Sequence, residues 1–255
     1  MIYKGFSLGE KFDTVFKFGR NREITTSTDP EDIWSVGGAY PFLTSSINVY
    51  VASTDTQDSA AGSGSKQVKI QGLDENYLEQ EETFTLNGQT PVTGSKTFSR
   101  VHRAFITYAG SEEVNTGDVN IGYGSFSSGV PTNHLAQIPA NEGQTQMAVY
   151  TVPNNKRAYL LKWSSSILSG ASGKAANVQL IYRENNGTNQ TVRKVKDQVG
   201  LGTNSMNIFQ RRYEFPDFIP PKTDVFLRVE QVTATSDITG EFSLVLVDST
   251  NTYNY

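Results

Sequence analysis

Short segments in which apolar and polar residues alternate recur along almost the whole chain. Clear examples are INVYVAS (Ile47–Ser53), KQVKIQGL (Lys66–Leu73) and ETFTLNG (Glu82–Gly88). This period of two places every second side chain on one face of a strand, which suits a sheet with one buried and one wet face. Turn-forming stretches rich in Gly, Asn and Ser separate the segments. The sequence therefore predicts an all-β fold, an antiparallel β-sandwich or jelly roll.

The segments fall into two series, and the 255 residues are enough for two small β units. We predict an N-terminal arm at 1–40, a first β-sandwich unit at 41–130, a linker at 131–145 and a second, jelly-roll-like unit at 146–255. Within the second unit, the stretch ENNGTNQ (Glu184–Gln190) is rich in Asn and Gly and predicts a hairpin turn. The proline-rich stretch Phe215–Asp224 predicts a loop or a sheet edge.

The stretch from Phe18 to Phe42 is different, because we find neither a helical nor a strand period in it. Its aromatic residues can anchor it on another surface, and its charges can fix the register of such a contact. One interpretation is a tail that folds onto its own domain. The other, which we adopt as the prediction, is an arm that docks on a neighbouring subunit or on a capsid. Its predicted interface residues are Arg20, Arg22, Glu31, Asp32, Trp34 and Tyr40. Deleting residues 1–40 should then leave a folded β protein that no longer binds its partner.

Candidate chemical groups are few. The formal net charge is -4 with only 19% charged residues, so we expect no nucleic-acid partner. Cysteine is absent, and the two histidines, His102 and His134, lie in different β units without partners at ligand spacing. We expect an outward-facing His102 and a His134 in the linker. We predict no catalytic residue, no metal site and no cofactor, and no apolar run is long enough to predict a membrane partner.

Three other segments have a possible chemical interpretation. The carboxylates of DENYLEQEE (Asp74–Glu82) are interpreted as a solvated face of a strand rather than the acid pair of a glycosidase. DTQDS (Asp55–Ser59) and NTGD (Asn115–Asp118) lack the full set of calcium ligands and are interpreted as turns. In RAYLLKWSSSIL, Tyr159, Leu161 and Trp163 share one strand face by parity and Leu160 lies on the other. We predict that Trp163 is a core residue; a sugar-binding platform is the alternative.

The run Ser63–Gly124 adds a family resemblance. It contains a G-L-D-x-N-Y turn, a glutamate-rich strand, an L-N-G-Q-T-P turn, an F-x-R-V-x-R-A strand and an N-x-G-D turn. This order of turns and strands resembles virion structural proteins of tailed bacteriophages. Glu142–Trp163 and Gly19–Trp34 continue the resemblance, which covers most of the chain. The family pattern carries no catalytic or ligand residue.

The resemblance implies a non-enzymatic structural protein of the virion, in particular a capsid decoration or cement protein on the head. It implies a homotrimer, with the major capsid protein or another virion protein as partner, located on the capsid surface after assembly in the host cytoplasm. An alternative is a tail- or vertex-associated protein that binds a receptor or a carbohydrate. A further alternative, a hydrolase on a β scaffold, has only the scattered carboxylates in its favour.

Overall fold

The computed structural model describes residues 12–168, 173–185 and 191–249. These residues form sixteen β-strands and no helix, and every paired strand is antiparallel. The strands are β1 (Phe12–Ile24), β2 (Glu31–Asp32), β3 (Ile47–Ser53), β4 (Ser65–Leu73), β5 (Glu79–Thr85), β6 (Val92–Phe98), β7 (Arg100–Ala109), β8 (Val119–Ser127), β9 (Val130–Ile138), β10 (Val149–Thr151), β11 (Lys156–Ile167), β12 (Ala175–Asn185), β13 (Thr191–Gly202), β14 (Ile208–Ile219), β15 (Thr223–Val232) and β16 (Ser236–Asp248).

The strands are arranged in four sheets. Sheet I has the order β1-β16-β11-β14, and sheet II has the order β10-β15-β12-β13 with β2 also paired to β15. Sheet III has the order β6-β3-β8-β9, and sheet IV has the order β5-β4-β7. The predicted all-β, antiparallel architecture is confirmed.

Two hydrophobic clusters hold the sheets together. The first lies between sheets I and II and contains Trp163, Leu180 and Phe242. The second draws on sheets III and IV, with Ile70 and Ile121 among its members. Side chains from sheet II also enter the second cluster, namely Val149, Ile181 and Phe226. Sheet II therefore packs against apolar side chains on both faces. This explains why the sequences of β12 and β15 contain nearly continuous hydrophobic segments.

A buried ion network joins sheet II to sheet IV. The Asp224 carboxylate on β15 is fully buried and pairs with Arg100 of β7 at 3.0 Å and with Arg183 of β12 at 2.8 Å. Thr151 Oγ1 donates a hydrogen bond to the same carboxylate at 2.6 Å. Buried charges are stable only when paired and hydrogen-bonded, so this network fixes how sheet II meets sheet IV.

Most predicted strands are found, and the missed ones lie at sheet edges. β3 has the predicted bounds, and β14 continues through Pro216 at an edge of sheet I, as proline at a sheet edge allows. The predicted linker 131–145 is corrected, because β9 occupies most of it and pairs with β8. The stretch LNGQTPVTGS (86–95) predicts a turn, and this prediction is corrected as well, because β6 begins within it at Val92. The hairpin turn predicted at Glu184–Gln190 falls mostly outside the described residues. The strands on either side of it do pair, with Asn185 opposite Thr191.

The predicted arm is also corrected. Residues 1–11 lie outside the described residues, but β1 pairs with β16 along almost its whole length. Its alternation is inverted: Lys17, Gly19 and Asn21 are buried, while Phe16 is 56% exposed. A built Cβ on Gly19 would lie 2.3 Å from the Ile33 carbonyl oxygen, so only glycine lets β1 approach this close. A strand that buries polar residues and exposes apolar ones cannot be recognised from the usual alternation. The division into units at the predicted boundaries stays a prediction.

A β-bulge in β11 changes which of its side chains share a face. Both neighbours of β11 shift register between Leu160 and Lys162. Leu160 and Trp163 are consequently both buried in the first cluster, whereas Leu161 is only half-buried. The predicted parity of Leu160 and Trp163 is wrong because an extra residue inverts the alternation. The prediction that Trp163 is a core residue is confirmed, since its side chain is fully buried.

Candidate functional site

The six predicted interface residues all contact their own chain. Arg20 donates to both carboxylate oxygens of Asp237, at 2.9 Å and 2.6 Å. Arg22 pairs with Glu142 at 2.9 Å and stays exposed. The buried Glu31 accepts hydrogen bonds from Asn21 and from the Gly38 amide. The charges that were expected to fix the register of a docked arm therefore fix β1 and the following turn within the chain.

The aromatic residues of the same segment belong to the second hydrophobic cluster. Trp34 is 3% exposed and its Nε1 donates to the Gly38 carbonyl at 3.1 Å. Tyr40 packs edge-on against Trp34, and its hydroxyl donates to the Val101 carbonyl at 3.1 Å. Asp32 is fully buried and accepts from Arg228 at 2.6 Å and from the Tyr40 amide. Of the six residues, Arg22 remains the most available for a contact with another molecule.

Exposed apolar side chains are concentrated instead on two neighbouring edge strands. β13 is at one edge of sheet II and β14 at one edge of sheet I, within the part of the chain that the structure describes. The most exposed large apolar residues there are Phe215 at 79% and Ile208 at 66%, followed by Phe218 at 51%. We call this region the edge surface and define it by Val192, Val195, Met206, Phe215 and Phe218.

Basic residues surround the edge surface. Lys194 pairs with Glu184, Lys196 with Asp217, and Arg211 with Asp197. Arg212 is exposed and forms no ion pair with any described residue. Exposed aromatic side chains beside arginine are typical of protein–protein interfaces. Lysines on β13 and Pro216 on β14 protect the two edges from pairing with another strand, so a partner would contact side chains rather than extend a sheet.

The sequence did contain a signal for this surface. RKVK (Arg193–Lys196) and QRR (Gln210–Arg212) predict basic groups that face outward from their strands. The neighbouring Phe215 and Phe218 fall in the stretch predicted as a loop or a sheet edge, and this prediction does not tell that their aromatic rings are exposed.

A cleft of about 440 Å³ lies between β1 and sheet IV, and it contains unusual titratable groups. The Lys17 Nζ donates to the His102 carbonyl oxygen, and the His102 Nε2 accepts from the Thr151 amide at 3.2 Å. Burial, followed by the charge of Arg103, lowers the pKa of Lys17 to about 7. Burial also lowers the pKa of His102 well below its usual value. The expectation that His102 faces outward is wrong, because the bulged β4–β7 pairing turns it under β1.

His134 is part of β9 rather than of a linker. Its Nε2 lies 3.2 Å from Asn120 Oδ1 on the neighbouring β8. Burial lowers the pKa of its imidazole. It therefore contributes to sheet III, and no described His, Cys, Asp or Glu joins it in a group that could hold a metal ion.

The two segments considered as calcium loops come together around Asp58. Its fully buried carboxylate accepts hydrogen bonds from Ser53, Ser65, Thr116 and Gly117. Donors occupy both oxygens, so this carboxylate ties two turns together. Among the described residues no group of three or more His, Cys, Asp or Glu is placed to bind a metal, and no helix there could span a membrane.

Comparisons with known proteins give no family for this chain. No family model matches it, and no curated protein matches it. Among solved structures, it is similar to the structure of infectious bursal disease virus Gx strain, with 10% identity and a TM-score of 0.25, over 95% of this chain and 72% of that chain. The VP2 subviral particle of infectious bursal disease virus gives 11% identity and a TM-score of 0.21, over 94% and 77%. TM-scores this low do not establish a shared fold.

The lowered pKa of Lys17 predicts a rise in stability with pH. The folded chain loses the Lys17 proton near pH 7, whereas the unfolded chain keeps it up to the ordinary value of 10.5. Between these values the unfolded state binds more protons, so the free energy of unfolding increases with pH from about 7 towards 10.5. We expect Lys17→Met to be more stable than the wild type at neutral pH and to lose this pH-dependent gain.

Urea denaturation of both proteins at neutral pH and at a pH two units higher tests this prediction. Exposed Lys194→Met is the matched control, and it should follow the wild type. An equal pH slope in Lys17→Met and the wild type would contradict the assigned burial of an uncharged amine.

Proposed function

We propose that this protein is a non-enzymatic structural component of a virion, and specifically a capsid decoration or cement protein of a tailed bacteriophage. It would bind the major capsid protein or another virion protein on the capsid surface and stabilise the head shell. The resemblance of Ser63–Gly124 to virion structural proteins supports this proposal. The proposal includes a sandwich or jelly-roll arrangement, in which core clusters lie between stacked sheets.

The single observation that carries the proposal is the edge surface. The edge surface holds five of the thirteen large apolar residues that are exposed in the described part of the chain. Exposed apolar side chains concentrated on neighbouring edge strands are typical of a protein–protein contact. On a particle, many copies make each weak contact effective through avidity. The proposed self-association into a homotrimer uses the same surface, and a closed symmetric assembly suits a threefold site on a capsid.

Mass spectrometry of purified particles tests the function. We expect a copy number close to that of the major capsid protein or a simple fraction of it. Particles produced with Phe215→Ser/Phe218→Ser should carry far fewer copies, because the variant loses the two most exposed aromatics of the edge surface. Tyr108→Ser is the matched control, since Tyr108 is 58% exposed on sheet IV, away from this surface. It should load normally.

Light scattering on the isolated proteins accompanies this measurement, with a trimer expected for the wild type and a monomer for the double variant. A wild-type copy number far below that of the capsid protein would contradict the decoration function and favour a tail or vertex component. Normal loading of the double variant would show that the edge surface is not the binding surface.

A further inference from the structure

A groove crosses the outer face of sheet I, on the side away from the first hydrophobic cluster. It has a volume of about 520 Å³. Most of its lining belongs to two rows of directly opposed residues, of which one is Arg20–Thr239–Ser166–Ile208 and the other Phe18–Glu241–Ser164. The groove therefore runs across all four strands, nearly perpendicular to them.

Side-chain size gives the groove its shape. The two central strands, β16 and β11, contribute small residues, with Glu241 of β16 as their one long side chain in the lining; the small residues are Thr239, Gly240, Ser164, Ser165 and Ser166. The outer strands contribute larger ones, with Phe16 and Phe18 of β1 on one border and Ile208 of β14 on the other. The low centre and high borders form a trough about one sheet wide.

The aromatic border presents ring surface to solvent. Phe16 and Phe18 stack with their centroids 6.2 Å apart and their planes at 29°. Phe16 is 56% exposed although it lies on the face of a four-stranded sheet, where a solvated polar residue is the usual occupant. The Lys162 ammonium lies 5.6 Å from the Phe16 ring centroid and holds that ring at the border.

Hydroxyl groups and two compensated ion pairs supply the polar part of the lining. Ser166 Oγ and Thr239 Oγ1 lie 2.6 Å apart across the floor. Glu241 pairs with Lys162 at 3.2 Å, and Arg20 at the rim pairs with Asp237. Donors and acceptors of both kinds are therefore present. The formal charges of these two pairs cancel, so the groove does not favour a strongly charged ligand.

We propose that this groove binds a neutral oligosaccharide. A pyranose ring has an apolar C–H face that stacks on an aromatic ring, and its hydroxyl groups both donate and accept hydrogen bonds. The lining offers the matching parts, with Phe16 and Phe18 for the C–H face and Ser164, Ser166, Thr239 and Glu241 for the hydroxyls. Mostly apolar walls with a few placed polar groups are the general pattern of small-ligand sites. This inference goes beyond the decoration function, because a capsid protein need not bind sugar.

The experiment uses the full-length protein on an array of neutral oligosaccharides of glucose, galactose, mannose and N-acetylglucosamine, and of acidic ones that carry uronic or sialic acids. The strongest neutral saccharide is then titrated by calorimetry. We expect binding to neutral members only. Phe16→Ala should bind about tenfold more weakly through loss of the stacking contact. Ser164→Tyr, which fills the trough, should abolish binding.

Phe12→Ala is the matched control. Phe12 lies four residues away on the same face of β1, is 57% exposed, and does not line the groove. It should bind as the wild type does. No binding to any neutral saccharide, binding to acidic saccharides alone, or equal affinities of Phe16→Ala and Phe12→Ala would each overturn the proposal. None of these results affects the copy number on particles, so the two proposals fail independently.

Discussion

A chain that lacks residues 1–40 is expected not to fold. The deletion removes β1 from sheet I, and it removes Ile24 and Ile33 from the first hydrophobic cluster and Trp34 and Tyr40 from the second. Loss of one buried side chain of this size costs about 2–5 kcal/mol. Four such losses together are comparable to the roughly 5–15 kcal/mol by which whole domains are stable.

The loss of a buried ion pair destabilises the truncated chain further. Arg228 is 12% exposed and its guanidinium pairs with Asp32, so the deletion leaves a nearly buried cation without that carboxylate. Breaking such a pair from one side is strongly destabilising, by about 3–5 kcal/mol. This expectation reverses the one drawn from the sequence, in which the truncated chain stays folded and loses only its partner.

Circular dichroism, a melting curve and limited proteolysis of the truncated chain measure the outcome. The variant Arg22→Ala/Glu23→Ala is the control, because both side chains are exposed within the deleted segment. It should melt close to the wild type. A truncated chain with a cooperative melting transition and native β signal would restore the interpretation of the segment as a detachable arm.

The second large effect is expected for Trp163→Ala. Trp163 is fully buried between sheets I and II, where its ring packs against Phe209 at 4.8 Å between centroids. Its Nε1 donates to Asp197 at 2.9 Å, and Asp197 also accepts from Tyr213 and Arg211. Truncation of a buried tryptophan costs about 3–5 kcal/mol, and here it also leaves the Asp197 oxygen with one donor fewer.

Denaturant unfolding of Trp163→Ala and of two other variants separates the contribution of the buried ring from that of its hydrogen bond to Asp197. Phe215→Ala removes an aromatic ring that is 79% exposed and should change the free energy of unfolding little. Trp163→Phe keeps most of the apolar volume but loses the hydrogen bond to Asp197, so it should fall between the other two. If Trp163→Ala and Phe215→Ala destabilise the protein equally, Trp163 is not the centre of this core.

Strands with an alternating buried face could be predicted from the sequence, whereas the edge strands β6 and β9 could not. β3 and β4 alternate because one face must enter a core, and their predicted bounds agree with the structure within one residue. β6 and β9 lie at the two edges of sheet III and carry Gly, Pro, Ser and Thr. An edge strand contributes backbone hydrogen bonds with little apolar burial, so its sequence resembles that of a turn.

Prediction from the sequence was also limited for the candidate site, as the six predicted interface residues show. The sequence identified Trp34 and Tyr40 as anchors, and both do anchor the segment, but on this chain's own second cluster. Composition cannot distinguish a contact with the same chain from a contact with another, because both use aromatic residues and charge pairs. The edge surface was missed for the complementary reason: Phe215 and Phe218 are exposed only because no described strand covers β14.

The sequence by itself determined that this chain is all-β and antiparallel and that Trp163 is a core residue, because alternation and large aromatic side chains leave few other ways to bury apolar surface. Only the tertiary structure decided that β6 and β9 are edge strands, that sheet II is covered on both faces, and that the β11 bulge places Leu160 and Trp163 together. It also decided that Lys17 is buried while Phe16 and Phe215 are exposed. These features depend on which distant strand lies alongside, and residues close in sequence carry no record of that pairing.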